Sequence, residues 1–319
     1  METLKLTHPL QLSKADFPET VLALGYFDGV HLGHQEVICT ARNIATEKGL
    51  LSAVMTFDPH PIEVLRKTCT MNYLTPLQSK IKAIEALGID RLYIVHFSSD
   101  FAQLTPQQFV DDYLIGLNVS HVVAGFDYTY GHLGKGTMKT LPLHGRGELA
   151  QTVVDKVEKG TVKISSTLIR ELLSHGQMQE ITTLLNRPYS IEGVVVHGDK
   201  RGRTIGFPTA NLELNERYLL PKTGVHAVTA SICGGDRVLE GVCNIGFKPT
   251  FTEGLEKPTV EVHLFNFAGD LYGKKITVQF HDYIRQEQKF NGVAELVARI
   301  QLDKKAAEAY FAREKSIGF

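Results

Sequence analysis

The chain has 319 residues, 43% hydrophobic and 22% charged, a composition typical of a globular protein long enough for about two domains. It carries 34 basic and 35 acidic residues, a net charge of −1, which argues against binding nucleic acid or a membrane surface through bulk positive charge. No apolar run reaches the roughly 20 residues that span a bilayer. Four scattered cysteines without CxxC spacing, and a start without a signal-peptide pattern, predict reduced thiols and a cytoplasmic protein.

The first half of the chain alternates short apolar runs with amphipathic stretches. Strands are predicted at 21–24, 51–57, 92–97, 119–126 and 151–157, and helices at 35–48, 76–87 and 105–117. Gly49 follows the first helix as a C-cap, and Thr105 with Pro106 begins the third. This alternation predicts a parallel sheet with crossover helices, in which ligands bind at the carboxyl ends of the strands.

From about residue 190 the pattern changes to short strands separated by Gly, Pro, Asn and Asp. These strands are predicted at 191–197, 225–232, 238–245, 259–267 and 275–280. They favour a small antiparallel barrel, followed by helices at 291–300 and 304–313. A further helix is predicted at 178–185, and placing the boundary after it gives domains at 1–187 and 188–319.

The first predicted strand leads into its helix through the glycine-rich segment 25–34. A helix N-terminus presents unpaired N–H groups to an anion, and Gly25, Gly29 and Gly33 permit close backbone approach. His31 and His34 are three residues apart, so both would lie on one side of the first turn and donate to phosphate oxygens. The alternatives are two surface histidines, or half a zinc site, for which no nearby Cys or His has the spacing.

A second helix start, at 163–170, carries three consecutive hydroxyls and an arginine. Ser165, Ser166 and Thr167 are followed by Arg170. Helix capping accounts for one of the three hydroxyls. The full set is more typical of a polyphosphate-binding site, in which the arginine stabilises the charge of a leaving pyrophosphate.

Two more loops follow predicted strands on the same sheet edge. One contains Asp58 and, between two prolines, His60, and the other places Asp127 in an aromatic run at 125–131. Each composition also suits an ordinary strand-to-helix turn. Their shared position at strand ends favours a ligand role.

The densest pattern in the second half is the segment 198–211. Its glycines and basic residues suit a phosphate-cradling loop, although a solvated loop has the same composition. Thr209 and Asn211 add hard oxygen donors of the kind that complete a Mg²⁺ shell with phosphate. Glu261 alternates with apolar neighbours, as a solvent-facing strand residue also does. The other residues singled out are Gly198, Lys200, Arg203, Gly206 and Pro208.

Together these motifs resemble known families. HxGH at 31–34 with ISSTxIR at 164–170 is similar to the nucleotidyltransferases that transfer adenylyl groups from ATP and release pyrophosphate. The segments GxxRGRxxGFPTAN, GVCNIGFKPTF, VEVHLFNFxGDLYG and IRxExKF, between 198 and 290, resemble the riboflavin kinase domain. The whole chain therefore resembles the bacterial bifunctional riboflavin kinase/FAD synthetases. Tyr26 departs from the Asn of many members, and Tyr128 and Tyr130 stand where Phe is usual.

The resemblance implies a Rossmann-like parallel-sheet nucleotidyltransferase domain, followed by a small antiparallel β-barrel riboflavin kinase domain with a C-terminal helix. It implies phosphorylation of riboflavin by ATP to FMN and adenylylation of FMN by ATP to FAD, both with Mg²⁺. The implied partners are the small molecules riboflavin, FMN and ATP, with no nucleic acid and no membrane. An oligomer is compatible with the sequence but is not predicted.

For the first domain, the resemblance implies that His31 and His34 contact ATP phosphates and that 165–167 and Arg170 hold the polyphosphate end. The other nucleotide-binding positions would be Gly25, Phe27, Asp28, Gly29 and Gly33. The positions near FMN or a metal would be Asp58, His60 and Asp127.

For the second domain, the resemblance implies that Glu261 is the general base for the riboflavin 5′-hydroxyl. Thr209 and Asn211 would help to hold Mg²⁺ and the ATP phosphates, and the loop 198–206 would close over the nucleotide. The stretches flanking the flavin would be 247–251 and 285–290, including Arg285.

Two other functions fit part of the sequence. One is an adenylyltransferase for another phosphate ester with a flavin-sensing second half, and the other is a flavin-binding regulator with degenerate sites. Intact Thr209, Asn211 and Glu261 argue against the first. The intact pair His31 and His34, together with Arg170, argues against the second.

Overall fold

The structure, a computed structural model, describes residues 1–11, 13–66, 68, 70–160, 162–198, 202, 205–232, 237–249 and 256–317. The chain divides into two compact units, residues 1–166 (unit 1) and 167–319 (unit 2). The domains predicted from the sequence, 1–187 and 188–319, instead assign the helices at 166–185 to the first domain. That boundary stays a prediction.

Unit 1 is built on a parallel sheet. The strands of unit 1, inside and outside this sheet, are β1 Glu2–Leu6, β2 Thr20–Leu24, β3 Leu51–Asp58, β4 Arg91–His96, β5 Val119–Gly125, β6 Thr129–Tyr130, β7 Gly136–Thr137, β8 Ala150–Val154, β9 Glu158–Lys159 and β10 Val162–Lys163. The sheet has the order β1-β4-β3-β2-β5-β8, and each of these neighbouring pairs is parallel. The predicted parallel sheet is therefore confirmed. The sequence does not predict β1, because this short edge strand is mostly exposed and alternates polar with apolar residues.

The helices predicted in unit 1 begin within a few residues of their predicted positions, and two further short helices, at 61–65 and 141–145, are not predicted. The helices are α1 Leu32–Lys48, α2 Pro61–Leu65, α3 Leu77–Glu85, α4 Pro106–Phe109 and α5 Leu141–Gly145, and α6 Ser166–His175 crosses into unit 2. The helix predicted at 105–117 is the short α4, continued by a π-helical segment, Val110–Ile115. Thr105 caps it as predicted, and Gly49 ends α1 in the left-handed region at φ 66°.

Two apolar cores cover the two faces of the sheet. Leu22 and Leu24 of β2 belong to one core, and Val21 and Ala23 belong to the other. All four are buried, which explains why the strands are continuous apolar runs. With both faces covered, the loops at the carboxyl ends of the strands are where a ligand can reach the sheet.

Unit 2 contains a closed antiparallel barrel. Its strands are β11 Tyr189–Val196, β12 Ala210–Glu213, β13 Gly224–Ile232, β14 Val238–Pro249, β15 Glu256–Leu264 and β16 Lys275–Arg285, in the order β11-β12-β15-β14-β13-β16. The helices are α7 Met178–Leu185 and α8 Val293–Ile317. The predicted barrel is confirmed. The sequence does not predict β12, because its residues fit a ligand-binding loop as well as a strand.

The two helices predicted at the end of the chain are one continuous helix, α8. Asp303, at the predicted break, is only 3% exposed and accepts hydrogen bonds from Arg285 (2.7 and 2.8 Å) and Arg299 (3.2 Å). An ion pair thus replaces apolar packing at this turn, and Ala307 and Phe311 continue the buried face. None of the helices in the described ranges is both long and apolar enough to cross a bilayer.

His226 makes the stability of unit 2 depend on pH. It is fully buried in β13, with Nε2 2.8 Å from the Lys222 carbonyl oxygen. Burial lowers its pKa to about 4, although the backbone hydrogen bond opposes the shift. The unfolded chain binds this proton near pH 6.5, so the free energy of unfolding should fall by up to about 3 kcal/mol as the pH drops from 6.5 to 4.

Denaturant unfolding of wild type and His226→Gln at pH 7.5 and pH 5 checks this expectation. The glutamine keeps an N–H donor near Lys222 but does not titrate, so His226→Gln should lose less stability between the two pH values. The control His175→Gln changes an exposed histidine and should follow wild type. Equal losses in wild type and His226→Gln would contradict the assignment.

Candidate functional site

A cavity of about 620 Å³ opens at the carboxyl ends of the unit 1 strands, where the parallel sheet predicts a ligand site. Its size is in the range of small-molecule and cofactor sites. The predicted site residues that line it are Gly25, Phe27, His31, Gly33, His34, Asp127, Ser165 and Ser166.

His31 is the N-cap of α1. Its Nδ1 accepts the backbone N–H of His34 at 3.2 Å, and the residue is only 5% exposed. Because Nδ1 is an acceptor, the neutral ring carries its proton on Nε2, which can donate to a ligand. The surface-histidine alternative is therefore wrong for His31.

His34 completes the pair. Its ring stacks on His31 with centroids 3.6 Å apart and 19° between the planes. Burial, then the charges of His31 and Lys80, hold the pKa of His34 well below its ordinary value. Its Nδ1 is buried and has no hydrogen-bond partner among the described residues. Burial thus favours the neutral imidazole at His34, while the Nδ1 of His31 accepts a hydrogen bond and leaves its N–H donor at Nε2.

A zinc site around the two histidines would need further ligands. In the described part of the chain, no group of three or more His, Cys, Asp or Glu side chains is arranged to hold a metal ion. The half-zinc alternative therefore has no completing residues in these ranges.

The segment between β2 and α1 has an uncommon backbone conformation. Phe27 (φ 60°), Gly29 (91°) and Val30 (43°) lie in the left-handed region. The Asp28 carboxylate accepts the Thr75 N–H at 3.0 Å, and the Gly29 N–H donates to Thr75 Oγ1 at 2.7 Å. Asp28 thus fixes the segment, while nucleotide contacts by Asp28 and Gly29 stay a prediction. The sequence gives no signal for Thr75.

The start of α6 is joined to this segment within unit 1. Ser166 Oγ donates to the Asp28 carbonyl oxygen at 2.8 Å across 138 residues of sequence, and Ser165 lies beside it in the cavity lining. Thr167 and Arg170 follow in the same helix and belong to unit 2. That Thr167 and Arg170 bind the polyphosphate stays a prediction.

The turn after β3 reaches the cavity edge. His60 begins α2, where its Nδ1 accepts a backbone N–H at 3.0 Å, and its ring lies 4.1 Å from that of Tyr26. Phe57 and Pro61 line the cavity, and Asp58, between them in the chain, is half-buried. The roles predicted for Asp58 and His60 remain untested by these contacts.

Asp127, at the third strand end, is paired with a lysine. Its carboxylate lies 2.6 Å from Lys163 Nζ, which also lies 4.7 Å from the centre of the Phe126 ring. Both charged side chains are largely exposed, so the pair contributes little stability. A ligand phosphate could therefore take the place of Asp127 beside Lys163 at small cost.

Part of the cavity lining is aromatic and is called the aromatic wall here. Its residues are Phe57, Phe97, Phe101, Phe109, Tyr128 and Tyr130. Phe101 contacts several of the others edge-on or at a tilt, with ring centroids 5.3 to 6.1 Å apart. Phe57, Tyr128 and Tyr130 lie in loops that the sequence analysis singled out, whereas Phe97, Phe101 and Phe109 lie in no such motif. A flat apolar ring system fits such a wall.

In unit 2 the predicted general base lies between two asparagines. The strand register pairs Glu261 of β15 with Asn211 of β12 on one side and with Asn244 of β14 on the other. Directly opposed side chains in antiparallel strands lie about 5 Å apart on one face. All three residues are half-buried. Sequence reasoning missed Asn244, whose Nδ2 lies 3.3 Å from Glu287 Oε1.

The glycine-rich loop approaches this row closely. A Cβ on Gly198 would clash with the Asn211 side-chain amide, so a larger residue there would displace that amide from its place in the row. Gly206 has a φ of 84°, which also favours glycine. Lys200 and Arg203 lie outside the described residues.

The possible metal ligands of unit 2 are oxygen donors. The Thr209 hydroxyl and the Asn211 amide oxygen are two residues apart, and Pro208 and Thr209 line a cavity of about 70 Å³. The Pro208 carbonyl accepts a hydrogen bond from His263 Nδ1 at 2.8 Å, which fixes the strand entry. Two neutral oxygens fit Mg²⁺, which keeps most of its shell as water and substrate phosphate.

Arg285 is held by α8. Both of its Asp303 contacts are shorter than 3 Å, and its guanidinium lies 5.8 Å from the centre of the Phe290 ring. Arg285 therefore links β16 to the stretch 285–290 and to α8. Its predicted contact with a flavin stays a prediction.

The comparisons with known proteins agree with both halves of the chain. Residues 13–168 match a family model described as FAD synthetase, and residues 185–311 match one described as riboflavin kinase. A bifunctional riboflavin kinase/FMN adenylyltransferase of Bacillus subtilis is 53% identical over 98% of this chain and 98% of its own. The protein of that name from Listeria monocytogenes is 46% identical over 98% of this chain and 99% of its own. A crystal structure from Streptococcus pneumoniae, titled macrolide-efflux protein, is 34% identical with a TM-score of 0.86, covering 97% of this chain and 99% of that one.

The ion pair at Asp303 yields a stability prediction. Asp303→Asn leaves the mostly buried Arg285 guanidinium without its counter-charge, so the free energy of unfolding of unit 2 should fall by about 3 kcal/mol. Arg299→Gln removes the more exposed partner and should cost less than about 1 kcal/mol. Urea unfolding of both variants measures the difference, and equal losses would contradict it.

Proposed function

This chain belongs to the family of bifunctional riboflavin kinase/FMN adenylyltransferases, and from that membership we propose which residues perform each reaction. The chain phosphorylates riboflavin with ATP to give FMN, and it transfers the adenylyl group of ATP to FMN to give FAD and pyrophosphate. We assign the adenylyl transfer to residues 1–187 and the phosphorylation to residues 188–319. The segments matched by the two family models support this division, since one ends at 168 and the other begins at 185.

The observation that carries the adenylyltransferase proposal is the stacked pair His31 and His34 at the N-terminus of α1, in the wall of the large cavity. A phosphate oxygen of FMN attacks the α-phosphorus of ATP, and the bond to pyrophosphate breaks, so the protein needs no nucleophile. The imidazole N–H groups and the first N–H groups of α1 would stabilise the charge on the phosphates. Ser165, Ser166, Thr167 and Arg170 would hold the leaving pyrophosphate.

The aromatic wall would hold the isoalloxazine ring of FMN. Stacked or edge-on aromatic contacts suit its flat ring system, and the histidine pair lies in the lining of the same cavity. Asp58, His60 and Asp127 would lie near FMN or a metal. Gly25, Phe27, Asp28, Gly29 and Gly33 would shape the nucleotide side.

The kinase proposal rests on the row Asn211, Glu261 and Asn244. Glu261 would accept the proton of the riboflavin 5′-hydroxyl as that oxygen attacks the γ-phosphorus of ATP and the bond to ADP breaks. Gly198, Lys200, Arg203, Gly206 and Pro208 would surround the ATP phosphates. The stretches 247–251 and 285–290 would flank the flavin, with Arg285 holding the second in place through Asp303.

Both reactions use ATP, and we propose that Mg²⁺ accompanies it. In the kinase, Thr209 and Asn211 would bind the ion together with phosphate oxygens, since their neutral oxygens suit it. Bound Mg²⁺ neutralises charge on the triphosphate.

The substrates are small molecules, and neither nucleic acid nor a membrane is indicated as a partner. We propose a cytoplasmic location. The free thiols of Cys39 and Cys243 are consistent with a reducing compartment.

One pair of variants separates the two sites. Glu261→Gln should slow FMN formation from riboflavin at least about 100-fold by removing the base, while FMN-to-FAD conversion continues. His31→Asn keeps an acceptor that can cap α1 but loses Nε2, so it should slow FAD formation at least about 10-fold and leave FMN formation intact. Chromatographic separation of the flavins measures both reactions.

The exposed Glu213→Gln and His175→Asn serve as controls with the same chemical changes. Loss of both reactions in either active-site variant would sink the two-site assignment. FMN accumulation without any FAD in wild type would contradict the adenylyltransferase assignment of the first domain, and the absence of both products would favour the regulator.

The metal proposal predicts that one variant changes the Mg²⁺ requirement of FMN formation without changing that of FAD formation. Chelation with EDTA should stop both reactions, and added Mg²⁺ should restore them. Asn211→Ala should raise the Mg²⁺ concentration needed for half-maximal FMN formation several-fold, without changing the requirement of FAD formation. The exposed Asn215→Ala is the control, and an unchanged Mg²⁺ requirement in Asn211→Ala would exclude Asn211 as a ligand.

A further inference from the structure

A buried ammonium lies next to the adenylyltransferase cavity without lining it. Lys80, in α3, is 2% exposed, whereas lysine is almost never fully buried unless its charge is matched. Tyr26, which Lys80 contacts, does line the cavity. Neither the sequence motifs nor the mechanism above uses this lysine.

The contacts of Lys80 join three elements. Its Nζ donates to the Tyr26 carbonyl oxygen at 2.9 Å and to Thr56 Oγ1 at 3.3 Å, and Thr56 Oγ1 donates to the same carbonyl at 2.7 Å. Nζ also lies 3.8 Å from the centre of the Tyr26 ring. Helix α3 and the end of β3 are thereby fixed to the residue that precedes the left-handed Phe27.

The environment keeps Lys80 charged. Burial lowers its pKa to about 8, while Asp28 and Asp58 oppose that shift, so at pH 7 the ammonium outnumbers the amine about tenfold. The π face of Tyr26, where many members of the family have Asn, adds a further attraction for the cation. The same charge is one of the causes that lower the pKa of His34, so the field of Lys80 reaches the histidine pair.

We propose that Lys80 is a positioning residue for adenylyl transfer: its buried ammonium holds the Tyr26 carbonyl, so that the segment 25–30 keeps the start of α1 and its first N–H groups in place for the ATP triphosphate, and it adds positive potential behind them. The inference rests on the proposed assignment of this cavity to adenylyl transfer. The ligand it favours is the polyphosphate, not the flavin.

A purely structural role does not account for a charge at this place. An apolar or neutral side chain would fill the space without the desolvation of an ammonium, and replacing buried charges by well-packed neutral groups is often neutral or stabilising. Asp28 and Asp58 offset only part of the desolvation of the Lys80 ammonium. Phosphates bound at the start of α1 would place further negative charge near it.

The test is the steady-state conversion of added FMN to FAD, which does not depend on the kinase reaction. The variants are Lys80→Met, which removes charge and donor, and Lys80→Gln, which removes the charge but keeps an N–H donor. The third is Thr56→Val, which removes one acceptor of Lys80 and one donor to the Tyr26 carbonyl but keeps the charge. Both Lys80 variants should raise the KM for ATP about 10-fold and change the KM for FMN less than about twofold. Thr56→Val should leave both constants within about twofold of wild type.

Three outcomes would overturn the proposal: a wild-type KM for ATP in Lys80→Gln, a parallel rise of both KM values, or an equal effect of Thr56→Val. If Lys80→Met does not unfold cooperatively, it is not properly folded, and Lys80→Gln alone tests the proposal, because its amide can still donate to Tyr26. His31→Asn is measured alongside. Full FAD formation in His31→Asn would refute the site assignment itself. Loss of FAD formation in His31→Asn, together with a wild-type KM for ATP in the Lys80 variants, would refute only the role of Lys80.

Discussion

A helix that begins at a ligand site must satisfy its first N–H groups without hiding them from the ligand. His31 meets this requirement in α1, because its Nδ1 caps one N–H and its Nε2 remains a donor. The rest of the site depends on keeping that helix start in place. Thr75 holds the segment before it through Asp28, and Ser166 holds the same segment from α6. Three distant parts of the sequence therefore fix one turn of helix.

The sequence predicts those features whose cause is local. The parallel sheet follows from apolar runs that alternate with amphipathic stretches, and the cap at Thr105 follows from a hydroxyl before proline. The aromatic wall is not predictable, because Phe57, Phe101 and Phe109 become neighbours only when the sheet and its crossovers form. Lys80 looks like an exposed helical lysine in the sequence, and only the packing of α3 shows that it is buried.

The two units build their sites from different elements. In unit 1 the candidate residues lie in loops and at a helix start, so their geometry depends on contacts between loops. In unit 2 the row Asn211, Glu261 and Asn244 lies on adjacent strands, so the strand register alone places the side chains. Sequence analysis singled out Asn211 and Glu261 but gave no role to Asn244, although Asn244 lies in the segment GVCNIGFKPTF, because only the strand register shows that it lies beside Glu261.

The short strand β12 closes the barrel, and it pairs with β15 through two residue pairs, Ala210 with Val262 and Asn211 with Glu261. The pairing between β12 and β15 therefore includes two residues of the row assigned to catalysis, Asn211 and Glu261. Inserting or deleting one residue there would turn Asn211 to the opposite face of the strand and break the closure at once. Changes of chain length in this kinase are therefore expected outside the pairing between β12 and β15.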